Sequence, residues 1–377
     1  MRGSSALTAI IALIAGACTA APSPSPAGTA AATPSPTVVA LATPTAGGTP
    51  SPAATPGRLP GSGEWSEIAI EGPVPVPREA HTWTVDPAAG AAYLFGGRDG
   101  GSVFDDLWRF DLRAERWEVL EPPGAAPTAR FGHNAIWLDG KGLVIFAGQS
   151  ASGFFNDLWL YDPSAGAWSE LPDGGSSPIP RYGSCAVLGP DGRLWISHGF
   201  TEDQARFADT RAYDFATGVW ADVTPPAGDL PVARCLHACF RAPDGSFGRL
   251  VLYGGQTTGV AALGDLWALR AVGDPGASRW EESRGPLPPP RNLYAFTLTG
   301  GAFVVFGGGS LERGYLDDTW VFSTADLTAA PLATSGGPPP ARSAAAFVTD
   351  ESAGRLLLFG GRDADRAFDD VWALALR

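Results

Sequence analysis

The chain has 377 residues, a formal net charge of −13, and a single lysine, Lys141, among its 26 basic residues. A protein that binds nucleic acid by displacing counterions needs a stripe of basic side chains, and the sequence contains none. Nucleic acid is therefore not an expected partner.

The first 18 residues are typical of a secretory signal. Arg2 supplies an early positive charge, an apolar stretch runs from Ala6 to Ala15, and small residues precede Cys18. Because the apolar stretch is shorter than the roughly 20 residues that cross a bilayer as a helix, no permanent membrane span is expected.

Residues 13–18, Leu-Ile-Ala-Gly-Ala-Cys, resemble the bacterial lipobox, in which the cysteine becomes the lipidated first residue of the mature protein. The resemblance implies that Cys18 is lipidated and that the exported protein is held in the cell envelope by this lipid anchor alone, facing the surface or the periplasm. Each buried CH₂ of the acyl chains would contribute about 0.8 kcal/mol to the anchoring. Cleavage without lipidation, which would give a freely secreted protein, is the alternative.

Residues 19–63 consist almost entirely of Ala, Pro, Ser, Thr and Gly, carry one charge at Arg58, and repeat Thr-Pro-Ser-Pro or a close variant. This composition has too little apolar bulk to pack and favours extended polyproline II, so the segment is predicted to be a disordered linker. At about 3.1 Å per residue it could reach on the order of 140 Å, which would hold the following domain clear of the envelope surface.

Three cysteines follow Cys18, namely Cys185, Cys235 and Cys239, and an odd number cannot be wholly paired. Cys235 and Cys239 lie four residues apart on a predicted strand, which separates them by about 13 Å, beyond the roughly 7 Å Cα limit for a disulfide. A bridge, if one forms, therefore joins Cys185 to one of the other two. Buried thiols without any bridge are the alternative.

From Glu64 onward the sequence repeats a unit six times, at intervals of 51 to 56 residues. In each unit an arginine leads, a glycine pair or its remnant ends a hydrophobic run, and an aspartate follows, usually within Asp-x-Trp. The glycine positions are Gly96 and Gly97, Ala147 and Gly148, His198 and Gly199, Gly254 and Gly255, Gly307 and Gly308, and Gly360 and Gly361. The arginines are Arg78, Arg130, Arg181, Arg234, Arg291 and Arg342, and the aspartates are Asp106, Asp157, Asp209, Asp265, Asp318 and Asp370.

Each unit carries four short strand signals, for example at residues 132–138, 143–146, 157–161 and 167–171, separated by turn residues and without a helix-length amphipathic run. A four-stranded sheet cannot bury both faces alone, and radial packing of such sheets into a propeller solves this problem. Trp65 precedes Arg78 by 13 residues, as Trp117 precedes Arg130, and the chain ends after the third strand of the sixth unit. The N-terminal strand is therefore predicted to complete the last blade.

Arg-x-x-His openings, glycine pairs, Asp-Leu-Trp and a closing tryptophan together resemble kelch repeats, and the resemblance covers residues 64–377. The openings are Arg78 with His81, Arg130 with His133, and Arg234 with His237. The implied fold is all-β, a six-bladed kelch-type β-propeller. The predicted organisation is thus a signal at residues 1–18, a linker at 19–63 and a propeller at 64–377.

Residues found in all six units are interpreted as scaffold, and residues found in one unit are better site candidates. The matching counts of arginines and aspartates predict a buried ring of charge-assisted hydrogen bonds, with an anion-binding funnel as the alternative. The tryptophans are expected to pack between blades. His81, His133 and His237 share one repeat position and are interpreted as structural.

The loop after each glycine pair differs from unit to unit, and in ligand-binding kelch propellers this loop and the start of the first strand surround one mouth of the channel. The resemblance therefore implies a binding site there, and its aromatic and planar polar groups suit a sugar or a peptide. The candidate residues are Arg98, Asp99, Gln149, Phe154, Phe155, Phe200, Glu202, Gln256, Arg313, Tyr315, Arg362 and Asp363.

The residues two positions past each leading arginine are small or apolar, whereas peptide-binding kelch domains often carry polar groups there. They are Ala80, Gly132, Gly183, Leu236, Leu293 and Ala344. This difference argues against a pocket for an acidic peptide.

The expected function is a surface-anchored binding module that recognises a glycan or a protein partner, with no cofactor, metal or catalytic residue assigned. Neither Gly-x-Ser-x-Gly nor His-Glu-x-x-His occurs, the histidines do not fit the copper site of kelch-like oxidases, and His198 alone is poor evidence for a metal.

Two alternatives to this binding module stay open. The first is a sugar-active enzyme resembling the sialic-acid mutarotases, which would be favoured if Arg98, Glu202, Arg362 and Asp363 surrounded one cavity. The second is an envelope protein whose partner docks on the sides of the blades, with the divergent third unit as the suspected surface.

Overall fold

A computed structural model describes residues 59–189, 191–226, 228, 230–243, 248–270 and 278–377. The predicted signal, Cys18 and most of the predicted linker lie outside the described residues, and the proposed boundaries at residues 18 and 63 stay predictions. Within the described ranges, no helix is long and apolar enough to cross a membrane. The helical turns in those ranges are two 3₁₀ turns, Glu202–Gln204 and Thr258–Val260.

Six antiparallel sheets, here numbered blades I to VI in chain order, surround one axis. Their first strands contact the first strands of neighbouring blades and so lie innermost. The strands, from the inside outward, are Thr82–Asp86, Ala91–Phe95, Leu107–Asp111 and Arg116–Leu120 in blade I; Asn134–Leu138, Gly142–Phe146, Leu158–Asp162 and Ala167–Glu170 in blade II; Cys185–Leu188, Leu194–Phe200, Arg206–Asp214 and Val219–Asp222 in blade III; Ala238–Ala242, Arg249–Gln256, Ala262–Arg270 and Arg279–Glu282 in blade IV; Ala295–Thr299, Ala302–Phe306, Thr319–Ser323 and Ala329–Pro331 in blade V; and Ala346–Asp350, Arg355–Phe359, Val371–Leu376 and Ser62–Ile68 in blade VI. The all-β, six-bladed architecture is confirmed.

Blade VI is closed by the N-terminal strand, as predicted, because Ser62–Ile68 pairs antiparallel with Val371–Leu376. Trp65 is buried there, with its ring centroid 5.0 Å from that of Phe306. A fifth strand, Ala333–Ser335, pairs parallel with the N-terminal strand and was not predicted. Blade V has a fourth strand of only three residues, after which the chain crosses to the outer edge of blade VI.

The predicted first strand of blade II began at residue 132, but the structure begins it at Asn134. Gly132 belongs instead to a ring of six residues, each two positions past a leading arginine, whose φ angles lie between 51° and 62°. The ring consists of Ala80, Gly132, Gly183, Leu236, Leu293 and Ala344.

These six residues form a closed cycle of backbone hydrogen bonds around the axis, here called the collar. Each N–H donates to the carbonyl oxygen of the equivalent residue in the preceding blade, with N···O distances of 2.6 to 3.3 Å, and Ala80 completes the cycle by donating to Ala344. The ring of Tyr182 lies over Gly132, and the side chain of Leu236 lies against Gly183. The collar therefore narrows one end of the axis and ties all six blades together through backbone alone.

The predicted ring of charge-assisted hydrogen bonds is confirmed in every blade. All six leading arginines are at most 1% exposed, and each guanidinium makes two hydrogen bonds of 2.5 to 3.1 Å to the carboxylate of its aspartate. Each also donates to the carbonyl oxygen of the first residue of the glycine pair, at 2.8 to 3.0 Å. Because the arginines are buried and paired, they offer no exposed cations for the alternative anion funnel.

The same aspartates also hold the repeated tryptophans. In five blades the indole Nε1–H donates to the aspartate at 2.6 to 2.8 Å. Blade III has no tryptophan at this position, and the Nε–H of Arg211 donates to Asp209 at 3.0 Å instead. The divergent third unit therefore keeps the scaffold contact with a different donor.

A disulfide joins Cys185 to Cys239, with a Cα–Cα distance of 5.6 Å. This is one of the two pairings that the spacing left open, and it links the first strands of blades III and IV. Closing a loop of this length restricts the unfolded chain by about 4 kcal/mol in the chain-entropy model. Cys235 is buried outside the bridge, with its Sγ 3.8 Å from the carbonyl oxygen of Gln256.

We expect Gly132→Ala to destabilise the propeller far more than Gly140→Ala does. Both glycines have positive φ, so alanine strains either position by about 1 kcal/mol. A Cβ at Gly132 would lie 1.8 Å from the buried ring of Tyr182, whereas nothing lies within 4 Å of a Cβ at Gly140. Urea unfolding of both variants measures the difference, and equal losses would contradict the packing described for the collar.

Replacing one scaffold carboxylate measures how much a buried arginine–aspartate pair contributes to the free energy of unfolding. Burial alone would raise the pKa of Asp370, but the hydrogen bonds and charge of Arg342 outweigh it and hold that pKa below its ordinary value. Asp370→Asn leaves Arg342 buried without a counter-charge, so we expect a loss of about 3 kcal/mol. Asp369→Asn, at the exposed neighbouring position, is the matched control and is expected to change stability by less than about 0.5 kcal/mol in the same unfolding experiment.

Candidate functional site

The loops after the glycine pairs all emerge at the collar end of the axis, on what is here called the loop face. In each blade the residue after the leading arginine forms an antiparallel bridge with the first residue after the glycine pair. These bridges place twelve residues around the axis beside the collar. The pairs are Glu79 with Arg98, Phe131 with Gln149, Tyr182 with Phe200, Cys235 with Gln256, Asn292 with Gly309, and Ser343 with Arg362.

Most of the predicted binding residues lie on this face. Arg98, Gln149, Phe200, Gln256 and Arg362 occupy bridge positions, one in each of five blades. Short hairpins bring in two more, because Phe154 pairs with Gln149 and Tyr315 pairs with Gly309. The exposed parts of these loops carry Asp99, Glu202 and Arg313.

A polar region spans blades V, VI and I. Glu79 is only 2% exposed, and its carboxylate accepts a hydrogen bond from Arg98 Nε at 2.9 Å and lies 3.6 Å from an Nη of Arg362. Burial raises the pKa of Tyr315 to about 12, although the nearby charge of Arg362 acts in the opposite direction. Two guanidinium groups thus converge on one buried carboxylate.

An aromatic region spans blades II and III. Phe131, Tyr182 and Phe200 are each at most 5% exposed and pack in one cluster. Phe154 extends this cluster, with its ring centroid 5.7 Å from that of Phe200. The guanidinium of Arg98 lies 4.4 Å from the ring centroid of Phe131, so a cation–π contact joins the aromatic region to the polar one.

Four buried polar side chains on this face have atoms without a hydrogen-bond partner among the described residues. They are Gln149, Gln256, Asn292 and Ser343, which are between 0% and 6% exposed. Gln256 in blade IV occupies the same repeat position as Arg362 in blade VI. Asn292 in blade V occupies the same repeat position as Glu79 in blade I. Buried polar atoms normally find a partner, so these four point to a ligand or ordered water on the loop face.

Two predicted residues make scaffold or turn contacts, and a third lies in an exposed turn of the loop face. Phe155 lies over the buried guanidinium of Arg130 at 4.2 Å, as phenylalanines do in three other blades, and so belongs to the scaffold. The carboxylate of Asp363 accepts hydrogen bonds from its own turn, at 2.8 and 2.9 Å. Glu202 lies in an exposed turn near Gly153. The cluster of Arg98, Glu202, Arg362 and Asp363 that would have favoured an enzyme is therefore only half assembled.

Glu79, Asn292 and Ser343 were missed by the sequence analysis. The position after the leading arginine differs in every unit, so the criterion that singled out the loops would also have selected it.

Comparison with known proteins agrees with this architecture. The family model described as the KLHDC2/KLHL20/DRC7 Kelch-repeats domain matches residues 60–248 and 223–377, which together include all six blades. The chain belongs to the kelch-repeat family. The solved structure of YjhT superposes on 79% of this kelch chain and 95% of its own, with a TM-score of 0.60 and 16% identity, which supports the fold alone.

Kelch relatives among characterised proteins are diverse. An F-box/kelch-repeat protein of Arabidopsis thaliana is 27% identical over 287 residues, covering 70% of this chain and 58% of the relative. Kelch domain-containing protein 10 of Xenopus laevis is 27% identical over 257 residues, covering 66% and 60%. The dynein alpha chain of the flagellar outer arm of Chlamydomonas reinhardtii is 27% identical over 332 residues, covering 79% and 7%. This chain thus spans less than two thirds of each relative.

The four histidines of this kelch propeller are buried scaffold groups. Burial, reinforced by the charge of a leading arginine, lowers the pKa of His133 and of His198 to about 3 and places those of His81 and His237 well below the ordinary value. His198 Nδ1 lies 2.7 Å from Ser197 Oγ. No group of three or more His, Cys, Asp or Glu side chains with metal-binding geometry occurs among the residues that the structure describes.

These histidines should make the propeller sensitive to mild acid. In the unfolded chain each histidine takes up a proton below its pKa of about 6.5, whereas in the folded state His133 and His198 stay neutral down to about pH 3. The free energy of unfolding therefore falls as the pH falls below 6.5, by up to about 1.4 kcal/mol per pH unit for each histidine. Urea unfolding at pH 7, 6 and 5 tests this. We expect His198→Gly, which restores a glycine pair, to show a shallower decline, and equal unfolding free energies of the parent at pH 7 and 5 would contradict it.

Proposed function

We propose that this kelch propeller is an exported binding module that recognises a glycan or a protein partner with its loop face. The observation that carries the proposal is the set of four buried polar side chains without partners, at the centre of a face with one polar and one aromatic region. A ligand that supplies hydroxyl, amide or carboxylate groups would satisfy those atoms.

The chemistry of the face suits such ligands. A sugar ring or a peptide side chain could pack on the aromatic region around Phe154 while its polar groups bond to Arg362 and Asn292. Tyrosine, phenylalanine and arginine occupy five of the twelve bridge positions, and they are residue types enriched in protein interfaces. The collar below supports a recognition surface, because it keeps a bound partner on the outside of the propeller.

Export and anchoring form part of the same proposal. The lipobox resemblance at Cys18 motivates it, and the disulfide between Cys185 and Cys239 is of the kind that persists in oxidising compartments. In that setting the linker would present the binding face at a distance from the membrane.

The loop-face proposal is tested with single substitutions that keep the fold. Arg362→Ala removes one arginine, while Glu79 keeps its 2.9 Å hydrogen bond to Arg98, so the buried carboxylate stays paired. We expect glycan-array and partner-binding signals to fall about tenfold, since a hydrogen bond to a charged group contributes about 1.5 kcal/mol. Phe154→Ala should weaken binding through the aromatic region.

Arg116→Ala is the matched control, because Arg116 is exposed on the outer strand of blade I, away from the loop face. Binding that survives in this control and is lost in both loop-face variants supports the proposal. Binding that is equally strong in the parent and in the loop-face variants would place the recognition surface elsewhere, such as the sides of the blades.

A further inference from the structure

The face opposite the loop face, here called the linker face, opens into a pocket along the axis. A cavity of about 250 Å³ lies against the collar and another of about 510 Å³ lies at the opposite end. The two cavities share lining residues, so they form one continuous space, here called the axial pocket. The shared residues are Trp83, Thr84, Ala135, Ala186, Phe296 and Phe347.

Six equivalent residues, one from each first strand, line the outer part of the axial pocket, and four of the six are apolar. They are Val85, Trp137, Leu188, Arg241, Leu298 and Thr349. Phe296 and Leu298 are 39% and 41% exposed, which is unusual for large apolar side chains at the centre of a fold. The volume lies within the range of ligand pockets, and the apolar wall favours an uncharged apolar occupant.

The N-terminal segment enters the propeller at the same face. Val371 follows Asp370, whose contact with Arg342 marks the loop-face end of blade VI. Because Ile68 pairs with Val371 and Gly63 pairs with Leu376, the strand Ser62–Ile68 begins at the linker face. Leu59 packs against the core of blades V and VI, so it lies at the linker face beside the outer strand of blade VI.

The preceding sequence contains one apolar cluster. Residues 38–41, Val-Val-Ala-Leu, carry the only large apolar side chains between residues 19 and 58, and they carry no charge. Leu41 and Leu59 are 18 residues apart, and at the 3.1 Å per residue of extended polyproline II this stretch could span up to about 56 Å. Three strand spacings of about 4.8 Å separate an outer strand from the first strand, so the cluster can reach the pocket.

We propose that residues 38–41 dock in the axial pocket of the same chain. Val38, Val39 and Leu41 would cover Phe296 and Leu298, removing from water the large apolar side chains that the fold leaves exposed. The linker would then be held along the linker face, and the loop face would point away from the anchor. This inference does not depend on which partner the loop face binds.

Hydrogen–deuterium exchange on the secreted full chain tests the docking, with Cys18→Ser introduced so that neither acyl chains nor detergent compete for the pocket. We expect the amides of residues 38–41 to exchange at least about tenfold more slowly than those of the flanking Ala, Ser and Thr tract. Leu298→Arg should abolish this protection. Leu298 is partly exposed, so the substitution is expected to leave the propeller folded, and its melting curve verifies this.

Val119→Arg is the matched control, because Val119 is 48% exposed on the outer strand of blade I and lies outside the axial pocket. Protection that is lost in Leu298→Arg and kept in Val119→Arg supports docking. Residues 38–41 exchanging as fast as their neighbours in the parent would overturn it, and so would protection that persists in Leu298→Arg. Leu298→Ala, which shortens the side chain without adding charge, should give an intermediate rate and guards against a folding defect.

Discussion

Each blade of this kelch propeller removes one guanidinium group from water, and the regular part of the structure follows from how that charge is satisfied. The arginine four residues before the first strand bonds to the aspartate near the start of the third strand and to the carbonyl oxygen that follows the second, as Arg342 does to Asp370 and Gly360. Three segments that would otherwise be separate loops are thereby fixed to one another. An unpaired buried charge is costly, so none of the three can move without the others.

This constraint also explains where variation is allowed. The arginine, the glycine pair and the aspartate make the same contacts in every blade. The residues directly beside them, such as Glu79 and Arg98, have the same backbone position in every blade, but their residue type differs. Six copies of that arrangement give a rigid ring of positions whose side chains differ. The polar region of blades V, VI and I and the aromatic region of blades II and III are the result, and they give the loop face a defined orientation around its axis.

Much of this architecture could be predicted from spacing alone, because a repeat of about 50 residues with fixed marks leaves few alternatives. The position of Trp65 relative to Arg78 was enough to predict the closure of blade VI. The collar could not be predicted, because it depends on backbone angles. Leu236 and Leu293 adopt positive φ, which their sequence would not suggest, and the lack of polar groups at these positions was interpreted only as evidence against one kind of ligand.

The candidate site was half predictable for a related reason. Variable loops can be recognised in a sequence of repeats. The sequence does not show that Asn292 and Ser343 lie on the same face, because the bridges that place them beside Gly309 and Arg362 form only in the fold. The strand Ala333–Ser335 was likewise invisible, because its pairing partner lies at the other end of the chain.

The pairing of the first strand of the domain with its last has a consequence for how the molecule is made. Val371 lies 303 positions after its partner Ile68, so at about 5–20 residues per second synthesis alone separates the two by roughly 15–60 s. Throughout that interval Trp65 has no sheet to enter, and the growing array has an open strand edge at each end, which invites pairing with other chains. The strand Val371–Leu376 therefore protects the whole chain against aggregation, because it removes these open edges. A chain truncated just before Val371 could not close the ring of blades.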